Sequence, residues 1–150
     1  MAVPTGSGTE VLTAHHFDGM DDTDAHALII GVKHHTYTVL STIAYCIAIN
    51  AADDIMKLQL LGYGSHESNT AQTMIIAQWV PAVGDTYVWN DKFSFFGAEP
   101  TAYTAPLSTA AEQLAIKTQG SSVVQVYQMT VEHAGDDFDV HVTFIDQDWT

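Results

Sequence analysis

The sequence predicts an all-β chain: one antiparallel β-sandwich, jelly-roll or immunoglobulin-like, of about eight or nine strands. Three observations lead there. Apolar and polar residues alternate in run after run, which is the two-residue period of a half-buried strand. Turn-forming clusters of Gly, Pro, Asp and Asn interrupt these runs at the roughly 8–12-residue spacing of sandwiches and barrels. No βαβ alternation and no tandem repeat is visible. The 150 residues, 47% of them apolar, suffice for a single core, so 1–150 reads as one domain with residues 1–8 as a flexible N-terminal arm.

Taken in order, TEVLTAHHF reads as a strand, DGMDDTDAH as an acidic loop and ALIIGV as a short buried strand. YTVLSTIAYCIAIN competes between strand and buried helix. Its Val, Ile, Thr and Tyr content and the AADD turn after it favour a strand. IMKLQLLGY follows as its expected partner, then the polar loop GSHESNTAQ. TMIIAQWVP is a strand stopped by Pro81, AVGD is a turn, and TYVWNDKFSFF alternates along its whole length. GAEPTAYTAPLSTAAEQ, with Pro100 and Pro106, is the long loop, and Ser108 caps at most a short helix near 108–115. QLAIKT is a short strand. SSVVQVYQMTVEH and DVHVTFIDQDW, around the turn AGDD, read as a β-hairpin.

Composition excludes several functions. Eighteen acidic residues oppose four lysines (Lys33, Lys57, Lys92 and Lys117), arginine is absent, and the net charge is −14. Phosphate contacts and base reading rest on Lys and Arg, so nucleic acid is not a partner, and neither is an anionic membrane. The N-terminal residues have neither the basic nor the apolar region of a secretory signal. No apolar run approaches the ~20 residues of a membrane span. The chain reads as made and used in soluble form. With only 15% charged residues, it also has apolar surface to cover beyond its own core, as in an oligomer or larger assembly.

Candidate chemistry is sparse. Cys46, the single cysteine, lies in an apolar run and reads as a small core residue. The adjacent pairs His15-His16 and His34-His35 point to opposite faces of a strand, so neither pair chelates from one side, though two pairs brought together would offer a mixed metal site. Asp18, Asp21, Asp22 and Asp24 form a candidate calcium loop, but without the EF-hand order a solvated acidic loop is the simpler reading. Asp53-Asp54 and Asp136-Asp137 are turn pairs, where Asp bonds its own backbone. There is no G-x-S-x-G, P-loop or GxGxxG, and no catalytic residue or cofactor is expected. Aromatic residues on strands are mostly core, but they also anchor interfaces. Trp149, Trp89, Tyr87, Phe95 and Phe96 are the interface candidates, with Trp149 pinning a terminus that would otherwise fray.

The opening MAVPTGSGTEVL, the central VGDTYVWNDKF and the closing VTFIDQDWT resemble small virion structural proteins of tailed bacteriophages. The chain departs from that pattern at the long GAEPTAYTAPLSTAAEQLAIKT and at DGMDDTDAH. The resemblance implies a compact β-sandwich without an active site. It implies a capsid decoration (cement) protein that stabilises the head shell, or else a neck, tail or fibre-base component. The implied partners are the major capsid protein or other virion proteins and further copies of the chain, with a trimer favoured. The implied location is the outer capsid surface, after synthesis in the host cytoplasm. A different class of reading is a calcium- or carbohydrate-binding β-sandwich, using the Asp18–Asp24 loop or surface Trp and Tyr stacked on sugar.

Overall fold

The computed structural model of the protein describes residues 9–21, 23–64, 70–99 and 123–148. They form eleven strands and no helix: β1 (Glu10–Met20), β2 (His26–Ile30), β3 (His35–Ala48), β4 (Met56–Gly64), β5 (Thr70–Trp79), β6 (Thr86–Trp89), β7 (Phe93–Phe96), β8 (Ala98–Glu99), β9 (Val123–Val124), β10 (Val126–Thr130) and β11 (Asp137–Asp148). One sheet runs β1-β11-β3-β6, with β7 also on β3, and the other runs β2-β10-β4-β5. β8 and β9 make a separate two-stranded pair, and every pairing is antiparallel.

The pairings are nested: β1 with β11, β2 with β10, β3 with β6 and β7, β4 with β5. This is one long antiparallel hairpin. Rolling it up brings β11 onto β3 and β10 onto β4. The result is a jelly roll, which selects one of the two sandwich forms the sequence predicts.

Alternation decides which side chains fill the space between the sheets. Phe138, Val140, Val142 and Phe144 of β11 point inward and are buried. On β3 the inward set is Tyr37, Val39, Thr42, Ala44 and Cys46. The period slips by one between Val39 and Thr42, where the register to β11 skips Leu40. Met56 and Leu58 of β4 and Tyr127 and Met129 of β10 close the core from the other sheet. At the opposite end from the β3–β4 turn, Gly31 and Gly97 let two backbones meet. Gly31 N donates to Gln125 O (2.8 Å) and Gly97 N to His35 O (2.8 Å). A Cβ on either glycine would overlap the facing main chain.

The structure corrects several expectations. The runs around AGDD are not a hairpin, because β10 and β11 lie in different sheets. IMKLQLLGY is likewise not the partner of the strand before it. In both cases the two strands carry an apolar face, and placing them on opposite sides of the core buries both faces at once. β1 continues through Asp18 and Gly19 to Met20, which shortens the acidic loop. TYVWNDKFSFF breaks into β6 and β7 at residues 90–92. The proposed helix near 108–115 and the strand QLAIKT lie outside the described residues.

One polar contact crosses the core. Tyr127 Oη and Thr42 Oγ1 are 2.8 Å apart, with both residues buried, and burial pushes the Tyr127 phenol up to about 12. Tyr127→Phe leaves the Thr42 hydroxyl without a partner and is expected to cost about 1–3 kcal/mol in urea unfolding. Adding Thr42→Val removes the stranded hydroxyl and should restore part of that loss. Strictly additive losses in the double variant would contradict the coupling.

Candidate functional site

Three short reversals ending in Asp, 51–54, 82–85 and 133–136, carry the chain from one sheet to the other, and the first and last of them come together. Residues 51–54 join β3 to β4, and residues 133–136 join β10 to β11. These two close the same way. Ala51 N donates to Asp54 Oδ2 (3.0 Å), and Asp54 N donates back to Ala51 O (3.1 Å). His133 N donates to Asp136 Oδ2 (3.0 Å), and Asp136 N donates back to His133 O (3.0 Å). Short Asp side chains favour this local loop of bonds.

The two reversals also hold each other. Asn50 N donates to Asp136 Oδ1 (2.8 Å), and His133 Nδ1 lies 2.8 Å from Asp54 Oδ1. That ring nitrogen carries the proton, since a carboxylate only accepts. Ile55 N donates to Glu132 Oε2 (2.7 Å). Asp54 and Asp136 are each 2% exposed, whereas the His133 ring is half open to solvent. Burial works against the Asp136 carboxylate, but N–H donation from Asn50 and His133 and its contact with Asp54 outweigh it. Asp136 is therefore held below the usual carboxylate range. The hydrogen bond and charge of Asp54 hold His133 above its ordinary value.

Asp54, His133 and Asp136 offer ligand atoms within 4.8 Å of one another, the spacing of a metal site. Their four carboxylate oxygens, however, already have four donors: His133 Nδ1, Ala51 N, Asn50 N and His133 N. His133 Nδ1 is committed as a donor to Asp54 and is not available as a ligand while that bond stands. The cluster works as a clasp between turns. A cavity of about 150 Å³ lies against it, lined by Ile55, Lys57, Thr130, Val131 and Glu132.

The residues singled out from sequence are dispersed. Asp18 sits on β1 with its carboxylate 2.7 Å from His16 Nε2. Asp21 and Asp24 are exposed, Asp22 lies outside the described residues, and no ligand group forms there among those described. His15 Nδ1 is 3.2 Å from Leu28 O, and its ring meets Phe144 edge-on. His35 Nδ1 is 2.6 Å from Asp146 Oδ1. His16 and His15 thus diverge, as strand neighbours should, while register brings His16 beside His141 with ring centroids 5.6 Å apart. Cys46 is fully buried, and burial raises its thiol pKa.

Of the interface candidates, Phe95 is core and stacks on Tyr37. Tyr87 and Trp89 pack partly buried against the core, and the Tyr87 hydroxyl accepts from Ala82 N (2.7 Å). The Trp89 indole N–H is buried with no acceptor among the described residues, as is that of Trp79. Phe96 is 46% exposed, and Trp149 lies outside the described residues. Sequence reasoning recognised Asp54 and Asp136 as turn residues but missed their mutual contact and His133. The sequence signal was the pattern of a strand, a four-residue turn ending in Asp, and a strand, which residues 82–85 share without marking the pair that meets.

No protein-family model and no curated protein matches the chain. Among solved structures it is similar to a chain from Bacillus endospore appendages, described as a novel family of disulfide-linked pili. The identity is 10% and the TM-score 0.43, over 100% of this chain and 97% of that one. A likeness so slight carries no argument about function.

Two outcomes test the clasp. Asp136→Asn removes a charged acceptor of two backbone N–H groups and is expected to cost about 2–3 kcal/mol in urea unfolding. A change under about 0.5 kcal/mol would contradict the role, being no more than an ordinary surface substitution causes. The pH dependence has two opposite signs. His133, raised on folding, stabilises fully below its unfolded value of about 6.5 and less as pH climbs through its folded value. Asp136, lowered on folding, stabilises fully above about 3.9 and less as pH falls through its folded value. The urea midpoint should therefore decline from about pH 6 to about pH 8, and more steeply in the wild type than in His133→Gln. Parallel profiles would refute the His133 assignment.

Proposed function

We propose that this chain is a structural protein of a tailed-bacteriophage virion, most specifically an outer capsid decoration protein that steadies the head shell through protein–protein contacts. The observation that carries the reading is the clasp. It is the one group among the described residues where three potential metal-ligating side chains lie within 4.8 Å of one another, and its carboxylate oxygens are all engaged in holding two turns together. Chemistry-bearing residues at this site therefore serve rigidity.

The architecture suits a load-bearing part. β3 and β11 pair over most of their length, which links distant parts of the chain through main-chain bonds. One end of the sandwich is acidic. The charges of Asp21 and Asp139 act on Asp137, Asp85 O accepts from Cys46 N, and the clasp lies alongside. An acidic end without arginine favours a protein surface carrying basic residues over nucleic acid. The partner proposed is the major capsid protein, and the three sequence blocks that resemble virion proteins supply the biological setting.

The test is to purify the particles, identify their proteins by mass spectrometry and image them with this chain labelled. Hundreds of copies spread over the head are expected. A single ring at one vertex would place the chain in the neck or tail instead. Absence from the particles, or heat on calcium titration or binding on a glycan array, would overturn the decoration reading in favour of a binding module.

A further inference from the structure

The four sheet edges of the sandwich are not alike. β1 carries Glu10 and Asp18 and has a register shift between Phe17 and Met20. β2 is five residues long. β6 and β7 are four residues each and are separated by a stretch holding Asp91 and Lys92. Charge, shortness and irregularity are the usual devices that stop an edge from pairing with another chain. β5 is the exception. It is ten residues long, and no strand among those described pairs with its outer side. Residues 70–84 include no charged side chain in a chain of net charge −14. Its one irregularity is a bulge at Ile76, which leaves 70–75 as an unbroken run.

Both faces of that run are open. Met74, opposite Leu60 on the inward side, is 61% exposed, and Ile75, opposite Gln59 on the outward side, is 47% exposed. An edge of this kind presents a row of main-chain donors and acceptors. Its partner must therefore be an extended strand.

We infer that β5 is an assembly edge that pairs antiparallel with β5 of a second copy of this chain, joining two four-stranded sheets into one across a two-fold axis. Charge selects the partner. Two copies repel over most of their acidic surfaces and can meet only where both sides are neutral. A basic partner would instead be drawn to the acidic end and would gain nothing electrostatic at β5. The incoming strand must be long, uncharged and lacking a neighbour on one side, and among the described strands β5 itself has all three properties. A two-fold contact uses the same patch twice and closes after two copies. Met74 and Ile75 would then be covered by the matching run of the other copy. The pairing stands independently of the virion reading and is two-fold, where the resemblance to virion proteins implies a trimer.

The experiment measures the mass of the full chain by sedimentation equilibrium across a concentration series and at two salt concentrations. Twice 16.3 kDa is expected, with tighter association at higher salt as the acidic surfaces are screened. Ile75→Lys puts a positive charge on the pairing run of each copy and should return the mass to 16.3 kDa, with a cooperative urea transition whose midpoint no longer depends on protein concentration. Met74→Lys, at a more exposed position, provides the same reading if Ile75→Lys fails to fold. A monomeric wild type at every concentration, a trimer, or a dimer that survives a folded Lys variant would each overturn the proposal. The readout is mass in solution, so its failure is separate from a failure to find the chain in virions.

Discussion

The carboxylates of Asp54 and Asp136 stand where the chain crosses between sheets in opposite directions, and the rest of the sandwich depends on those crossings. A reversal that changes sheets cannot use the hydrogen-bond ladder of either one. Its backbone N–H groups need other acceptors, and near a core water does not supply them all. Here each Asp closes its own turn and reaches toward the other. The cost of burying two acids is offset by placing a donor on every oxygen. β3 and β11 are thereby brought side by side in one sheet, and β4 and β10 in the other.

With β3 and β11 central, the chemistry of the surface follows. Their inward faces meet β4 and β10 in a core whose polar exception is the Thr42–Tyr127 pair. The same register sets His16 against His141 on the outside and sends His15 toward β2. The edges fall to β1 and β2 on one flank and to β5, β6 and β7 on the other. That leaves an acidic end built from turns and an uncharged edge built from β5. These are two surfaces with different electrostatic demands on a partner.

A good deal of this is legible in residues read one by one. Val140, Val142 and Phe144 announce an inward face by their spacing, and Cys46 announces its burial by its neighbours. The turns at AADD and AGDD announce themselves by composition, because a short carboxylate next to its own backbone makes the same bonds in any fold. Legibility stops at pairs. Each turn has two aspartates, and only Asp54 of one and Asp136 of the other are buried. Phe95 and Phe96 are adjacent and identical, yet one is core and the other 46% exposed, because strand parity is set by β3 across the sheet.

The sequence by itself determined that the chain is all-β and acidic. Period, turn chemistry and net charge are local or additive properties that need no contacts to be read. Only the tertiary structure decided that the turns at Asp54 and Asp136 cross between sheets instead of closing hairpins, that they clasp one another through His133, and that β5 is left as the long neutral edge. An apolar-faced strand buries that face equally well against any complementary sheet, so alternation specifies a face but not its partner. The partner is chosen by the whole hairpin as it rolls up, and the clasp exists only where that choice has brought two distant turns together.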